Sequence, residues 1–274
     1  MRRNWDRIFD EIAYYVLPSK TGFLSTFVPG ERTRWSRRFD TTAGHSNKTL
    51  ANHLHMGMCS PAQPWFELYF HDEQMNEEKV MKEWAEDTTH RMFAAFNYSN
   101  FNAQINTLFQ NLCAFGTACF QAQFMNTPRD GFSLVFDNVK LSQAVFDVNE
   151  HNVIDTVFHE HKMTPRQAKL QFGRDFPSTP ENVDNKITLL KITRPNPDYD
   201  PNSMNPKKRA FICEWVHQKE VFFTEYYYEL PYMTVRYDEV DQDDIYGEGP
   251  GVLALSDIRT VNQAKRLEMR GWEK

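Results

Sequence analysis

Three places in this 274-residue sequence hold residue types suited to metal chemistry. The first is His53-Leu54-His55, with Cys59 close behind. Imidazole and thiolate are zinc ligands, but on a helix positions i and i+2 sit about 200° apart, so both rings cannot reach one ion. The second is His159-Glu160-His161, on a stretch that reads as a strand, where i and i+2 share a face. Two histidines can begin a zinc site. A third ligand is needed, and the candidates His151 and His217 stand at no recognised spacing. The third is the acidic run Asp238, Glu239, Asp241, Asp243 and Asp244. Paired carboxylates can hold Mg²⁺ ions for nuclease chemistry. A calcium loop requires the D-x-D-x-D-G phase, which Asp241, Asp243 and Ile245 break. A solvated loop and a like-charge surface that repels DNA phosphates are the other readings of this run. Together His159, His161 and residues 238–244 define the enzymatic alternative, a metal-dependent hydrolase or nuclease. Nucleophile elbows and phosphate-binding loops are absent, and Gly247-x-Gly249-x-Gly251 lacks the dinucleotide spacing.

The elements that must position these residues fall into two halves. Residues 4–16 read as an amphipathic helix with Trp5, Ile8, Ile12 and Tyr15 on one face, stopped by Pro18. A loop to about residue 42 carries Arg32, Arg34, Arg37 and Arg38, either a solvated or subunit-contacting loop or a DNA-facing arm. Residues 45–58 form a second predicted helix, 65–70 a short strand, and 76–96 a third helix. Ser99 or Asn100 caps a fourth, which carries Phe101, Ile105, Leu108, Phe109 and Leu112 toward Gly116. Beyond it the period changes to two: strands are predicted over 118–124, 132–136, 145–148 and 153–161, with a turn at 128–131. Thr164 and Pro165 open a short helix that ends near Gly173. Residues 187–193, 210–218 and 220–228 read as antiparallel strands between loops at 174–186 and 195–208. The fold class is α+β: a helical N-terminal half, an antiparallel sheet-rich second half, then a Gly/Pro hinge into a long helix. That hinge is Tyr246-Gly247-Glu248-Gly249-Pro250-Gly251, and Val252, Leu255, Ile258 and Val261 mark one apolar stripe after it.

Composition excludes several classes. Hydrophobic residues make up 41% and charged residues 25%, ordinary for a globular chain, and no apolar run approaches membrane-spanning length. A net charge of −6 argues against a protein that wraps nucleic acid phosphates. Four scattered cysteines, without paired spacing, read as buried reduced thiols. Twenty-two phenylalanines exceed what a small monomer readily buries, so some are expected at subunit contacts.

The hinge residues, with Ala254-Leu255, Asp257-Ile258 and Asn262, resemble the head-to-tail connector (portal) proteins of short-tailed, podovirus-like phages. Further pieces agree in the same order: Arg38-Phe39-Asp40-Thr41-Thr42, Leu50-Ala51, Ser60-Pro61, Pro64-Trp65-Phe66, Ser99-Asn100-Phe101, Phe115-Gly116-Thr117, residues 153–156 and residues 164–167. The resemblance spans roughly residues 5–265. It implies a structural protein with no catalytic, cofactor or metal residues, forming a ring of about a dozen copies at one capsid vertex. DNA would pass through that ring without sequence-specific binding, while the terminase motor, scaffold or capsid proteins and tail adaptors attach to it. The location would be the virion, with assembly in the host cytoplasm and no membrane involved. Residues 1–245 would correspond to the family's wing and 246–274 to a hinge and the beginning of its stem, with the chain expected to be C-terminally truncated. By the same resemblance Gly247, Gly249 and Pro250 would set the turn into the stem, Trp65 and Phe66 would anchor the wing core, and Gly116 would allow close packing. Arg38 and Asp40 would pair within or between subunits, and Tyr246, Asp257 and Asn262 complete the signature.

Overall fold

The computed structural model describes residues 2–20, 22–24, 38–127, 131–176, 186–239 and 244–272. Arg32, Arg34 and Arg37, the turn at 128–130, and Asp241 and Asp243 lie outside them. The fold is α+β, with helices at both ends and two antiparallel sheets between them.

Helix α5 (Phe101–Phe115) is the axis of the molecule, with nine of its fifteen residues buried. Phe101, Ile105, Leu108, Leu112 and Phe115 form one broad apolar face, and the last turn, residues 111–115, is buried all round. One face meets α2 (Thr42–Met58), where Asn47 Nδ2 donates to the Gln110 carbonyl at 3.2 Å. Another face lies on a three-stranded sheet of order β2-β1-β8, built from β1 (Thr117–Thr127), β2 (Gly131–Val139) and β8 (Tyr232–Arg236). Ala118, Phe120 and Phe136 pack with Phe101, Ile105, Leu108 and Leu112 in one cluster. The opposite face of β1 meets a second cluster around α1 (Arg2–Tyr15), where Phe9, Ile12, Ala13 and Val16 are buried with Phe115, Cys119, Tyr232 and Tyr246. Strand β1 is therefore covered on both sides at its start, and residues 117–121 are all buried.

The second sheet runs β3-β4-β5-β6-β7 without a crossover. Its strands are β3 (Ala144–Val148), β4 (Ile154–Met163), β5 (Ile187–Pro195), β6 (Phe211–His217) and β7 (Glu220–Tyr227). Helix α6 (Pro165–Phe172) covers one end, burying Ala168 with Leu189, Cys213 and Trp215. Thr164 and Gln167 form the full capping box, Pro165 takes the first turn, and Gly173 closes the helix at φ 66°.

Three expectations change, and one strand appears that the sequence did not announce. Residues 65–70 form no strand: Leu68 N–H bonds Thr89 Oγ1 at 3.2 Å, and the Phe70 N–H and carbonyl both bond the Asn76 side chain at 2.8 Å, so side chains replace a ladder. The helix expected over 76–96 is two helices, α3 (Glu73–Glu77) and α4 (Lys79–Tyr98), parted where Glu78 is extended. Strand β8 carries no sequence expectation at all; it exists because it pairs with β1. The terminal helix also divides, into α7 (Pro250–Leu253) and α8 (Leu255–Trp272) around Ala254.

Candidate functional site

Gly116 ends α5 in the left-handed region, at φ 73°, with its N–H bonded to the Leu112 carbonyl at 2.8 Å. The chain returns here more than a hundred residues later and lies directly on this turn. A Cβ on Gly116 would stand 2.2 Å from the Gly247 carbonyl oxygen and 2.4 Å from Gly249 N. One on Gly249 would meet Gly116 N and the Leu112 oxygen at 2.8 Å, and one on Gly251 the Ala114 oxygen at 2.4 Å. The physical reason for these glycines thus differs from a need for positive φ. Gly249 sits at φ −112°, and Gly247 and Gly251 are not among the positive-φ residues; they are glycines because backbone touches backbone.

Several polar groups of this knot are paired. Gly247 N–H donates to the buried Thr117 Oγ1 at 2.8 Å, Tyr237 N–H to the Gly116 carbonyl at 2.8 Å, and Glu248 N–H to the Asp238 carbonyl at 3.0 Å. Pro250 then opens α7 at a first-turn position, where its missing N–H costs nothing. Tyr246 anchors the segment: its ring lies 5.6–5.9 Å from Trp5, Phe9 and Phe146, and its hydroxyl accepts from Arg2 at 2.6 Å. Arg2 also donates to the Ala144 carbonyl at 2.9 Å and to that of Leu141.

A second group of signature residues meets on α8. Asn262 is buried, and its Oδ1 accepts from the N–H groups of Phe39 at 2.8 Å and Asp40 at 3.2 Å. The Asp40 carboxylate in turn accepts from Thr42 N–H at 3.1 Å and Thr42 Oγ1 at 2.9 Å. Arg38 makes no ion pair with Asp40 among the described residues. Asp257 lines a cavity of about 310 Å³ between α2 and α8, together with Asp40, Ala43, Leu50, Ile258 and Val261. Along the expected stripe, Leu255 is buried and Val252 and Ile258 pack on the core, whereas Val261 stays 44% exposed.

The third group is aromatic. Trp65 stacks on Phe96 and Phe101 at 6.2 and 5.9 Å, and Phe66 packs edge-on against Phe96. With 39% of its surface exposed, Trp65 covers the edge of the core rather than filling it. Asn100 does not cap α5 with its side chain; Ser99 Oγ takes the Phe101 N–H at 3.1 Å. The Asn100 amide instead mimics a strand, bonding both the N–H and the carbonyl of Phe136 at 2.8 Å.

The metal expectations resolve differently. His159 and His161 do share a face, with ring centroids 3.8 Å apart. What completes the cluster is Lys191, directly opposite His159 in the β4–β5 register and only 3% exposed. Its ammonium lies 5.3 Å from the Trp215 ring and 5.2 Å from that of Tyr232, whose hydroxyl is 3.3 Å from His159 Nδ1. A buried cation beside two imidazoles repels a metal ion. Burial, then the neighbouring His161 and Lys191, push the His159 pKa down to about 2; burial and Lys191 bring His161 to about 4. Burial likewise lowers Lys191, partly opposed by Cys213 and Glu225. His53 is exposed and His55 lies 6.4 Å from Phe109, so that pair also diverges. Of the acidic run, Glu239 pairs with Arg236 at 3.3 Å, and Arg236 also bonds the Asp244 carbonyl at 3.3 Å. No group of three His, Cys, Asp or Glu residues able to hold a metal occurs among the described residues.

Arg2, Arg236 and Lys191 escaped the sequence reading, and Thr117 entered it only as part of Phe115-Gly116-Thr117. Lys191 alone carried a usable signal: it alternates with Leu189 and Thr193 on the inward register of a strand.

The family model described as bacteriophage head to tail connecting protein matches residues 1–274. Similar curated relatives are a probable portal protein of Bordetella phage BPP-1, 27% identical over 95% of this chain, and a portal protein of Salmonella phage epsilon15, 23% identical over 98% of it. The alignments cover 48% and 50% of those proteins, so the chain spans about half the length of the curated relatives it matches. On the match along its whole length, the chain belongs to the bacteriophage head-to-tail connecting protein family.

Proposed function

We propose that this chain is the ring-building portion of a portal of a short-tailed phage. Twelve or so copies would close head to tail at one capsid vertex, and DNA would be packaged and ejected through the centre. Residues 1–245 would form the wing, and the knot at 246–251 would turn the chain into the stem that α8 begins. The terminase motor, scaffold or capsid proteins and tail adaptors would bind the assembled ring, in the host cytoplasm during assembly and in the virion thereafter. The observation that carries this reading is the family match along residues 1–274. Two features support the mechanical part. The knot fixes the α8 entry by backbone contact rather than by flexible side chains. The net charge of −6 disfavours a deep electrostatic well for passing phosphates. Among the described residues no helix is long and apolar enough to cross a membrane.

Mass measurement by light scattering at several concentrations, with negative-stain images of the same sample, tests the proposal. Closed rings of about a dozen copies are the expected result. Particles of open, unbounded length, or a monomer at every concentration, would refute ring building by this chain.

A further inference from the structure

Two surfaces are left uncovered by the described residues and are opposite in charge. The first is a cleft of about 930 Å³ between the end of α1 and the outer half of α8, lined by Tyr14, Phe39, Arg259, Arg266, Met269 and Arg270, among others. Steps of seven and eleven residues return to nearly the same side of a helix, so the three arginines form one stripe. Arg259 is tied to Glu11 through both carboxylate oxygens. Arg266 lies 6.0 Å over the Phe39 ring, and neither it nor Arg270 has an ion pair among the described residues. Met269 and Trp272 beside them are 52% and 85% exposed.

The second surface is the α3–α4 arm. Only Ala85 and Thr89 of the twenty residues of α4 are buried, while Val80 and Trp84 are 73% and 56% exposed. Asp72 caps α3, and Glu83 and Asp87 are paired with Lys79 and Arg91. Glu73 and Glu77 are exposed and have no ion pair among the described residues. They stand one helical turn apart, as Arg266 and Arg270 do; Val80 and Trp84 follow on α4, beyond the extended Glu78, with Trp84 against the Phe70 ring at 5.6 Å.

We propose that the arginine stripe of one copy receives the Glu73–Glu77 edge of the next, with Val80 and Trp84 docking beside Met269 and Trp272. The occupant is a second copy of this chain because sign and spacing match on one polypeptide. Two different surfaces engage, so the contact is heterologous and can repeat around an axis. This inference rests on the ring-building reading and assigns it one of its contacts.

Charge reversal on the full chain tests it, with the assembled mass read by sedimentation velocity. Arg266→Glu/Arg270→Glu and Glu73→Lys/Glu77→Lys should each raise the concentration for half-assembly about tenfold or more, and assembly of the parent chain should weaken with salt. Mixing the two variants restores complementary surfaces and should recover assembly. Assembly untouched by either reversal, or lost and not recovered on mixing, overturns this contact and leaves ring building standing. A parent chain that stays monomeric at every concentration overturns both.

Discussion

The knot at Gly116 and the inner face of the five-stranded sheet around Lys191 are both buried and both polar, yet they resolve that conflict in opposite ways. At the knot, close approach removes side chains and the exposed peptide groups find partners: Gly116, Gly247, Tyr237 and Glu248 all have bonded N–H or carbonyl groups. On the sheet face, Lys191 is held by ring faces and His161 Nε2 has no hydrogen-bond partner. The first arrangement cannot tolerate an added atom. The second cannot tolerate an added proton.

The largest effect expected is therefore steric. Gly249→Val places methyl groups against the backbone of Leu112, Cys113 and Gly116, with no flexible side chain there to yield. A loss of about 3 kcal/mol or more is expected, enough to unfold a marginal domain, and urea denaturation measures it. A Gly249→Val chain that unfolded at the parent's midpoint and assembled normally would remove the knot from the account of how α8 is positioned.

The next effect is protonic and belongs to the sheet. Both histidines have folded pKa values, about 2 and about 4, below the ordinary histidine value of 6.5. Between pH 6.5 and 4 the unfolded chain binds protons that the folded chain refuses, so stability present above pH 6.5 is lost as pH falls. From pH 7 to 5 the loss should be about 1–2 kcal/mol per histidine. His159→Gln/His161→Gln should flatten that part of the stability–pH curve. An unchanged slope would mean that the pair is solvated.

What could be read beforehand divides along the same line. Thr164, Pro165 and Gly173 announced α6 because a capping box and a left-handed stop are local rules. Gly247, Gly249 and Pro250 announced a break for the same reason. The partner that explains the glycines, Gly116, is a tertiary neighbour that local patterning does not reach. The bonds from Gly247 to Thr117 and from Phe39 to Asn262 span 130 and 223 residues, and no periodicity carries such information. Residues 65–70 alternate like a strand but lack a strand beside them, whereas residues 232–236 look unremarkable and become a strand because β1 offers an edge. Two histidines at i and i+2 were correctly placed on one face. Their chemistry was decided by Lys191 on the neighbouring strand.

A pair of smaller substitutions sharpens the contrast, because the two sites should respond with opposite sign. Thr117→Val keeps the shape at the knot but removes the acceptor of the Gly247 N–H, leaving a buried donor unpaired. It should cost about 1–3 kcal/mol. Lys191→Met keeps the length of an apolar stem and removes a cation whose pKa burial lowers. At neutral pH that cation is already unfavourable in the folded state, since stability linked to a depressed lysine is lost as pH falls below about 10.5. Methionine also retains contact with the Trp215 and Tyr232 rings through its sulfur. A gain of about 1 kcal/mol is expected, after offsetting the lost cation–π contacts. Thermal unfolding of both variants at pH 7 decides the matter: a destabilised Lys191→Met chain would show that the ring faces hold the charge well enough to stabilise it.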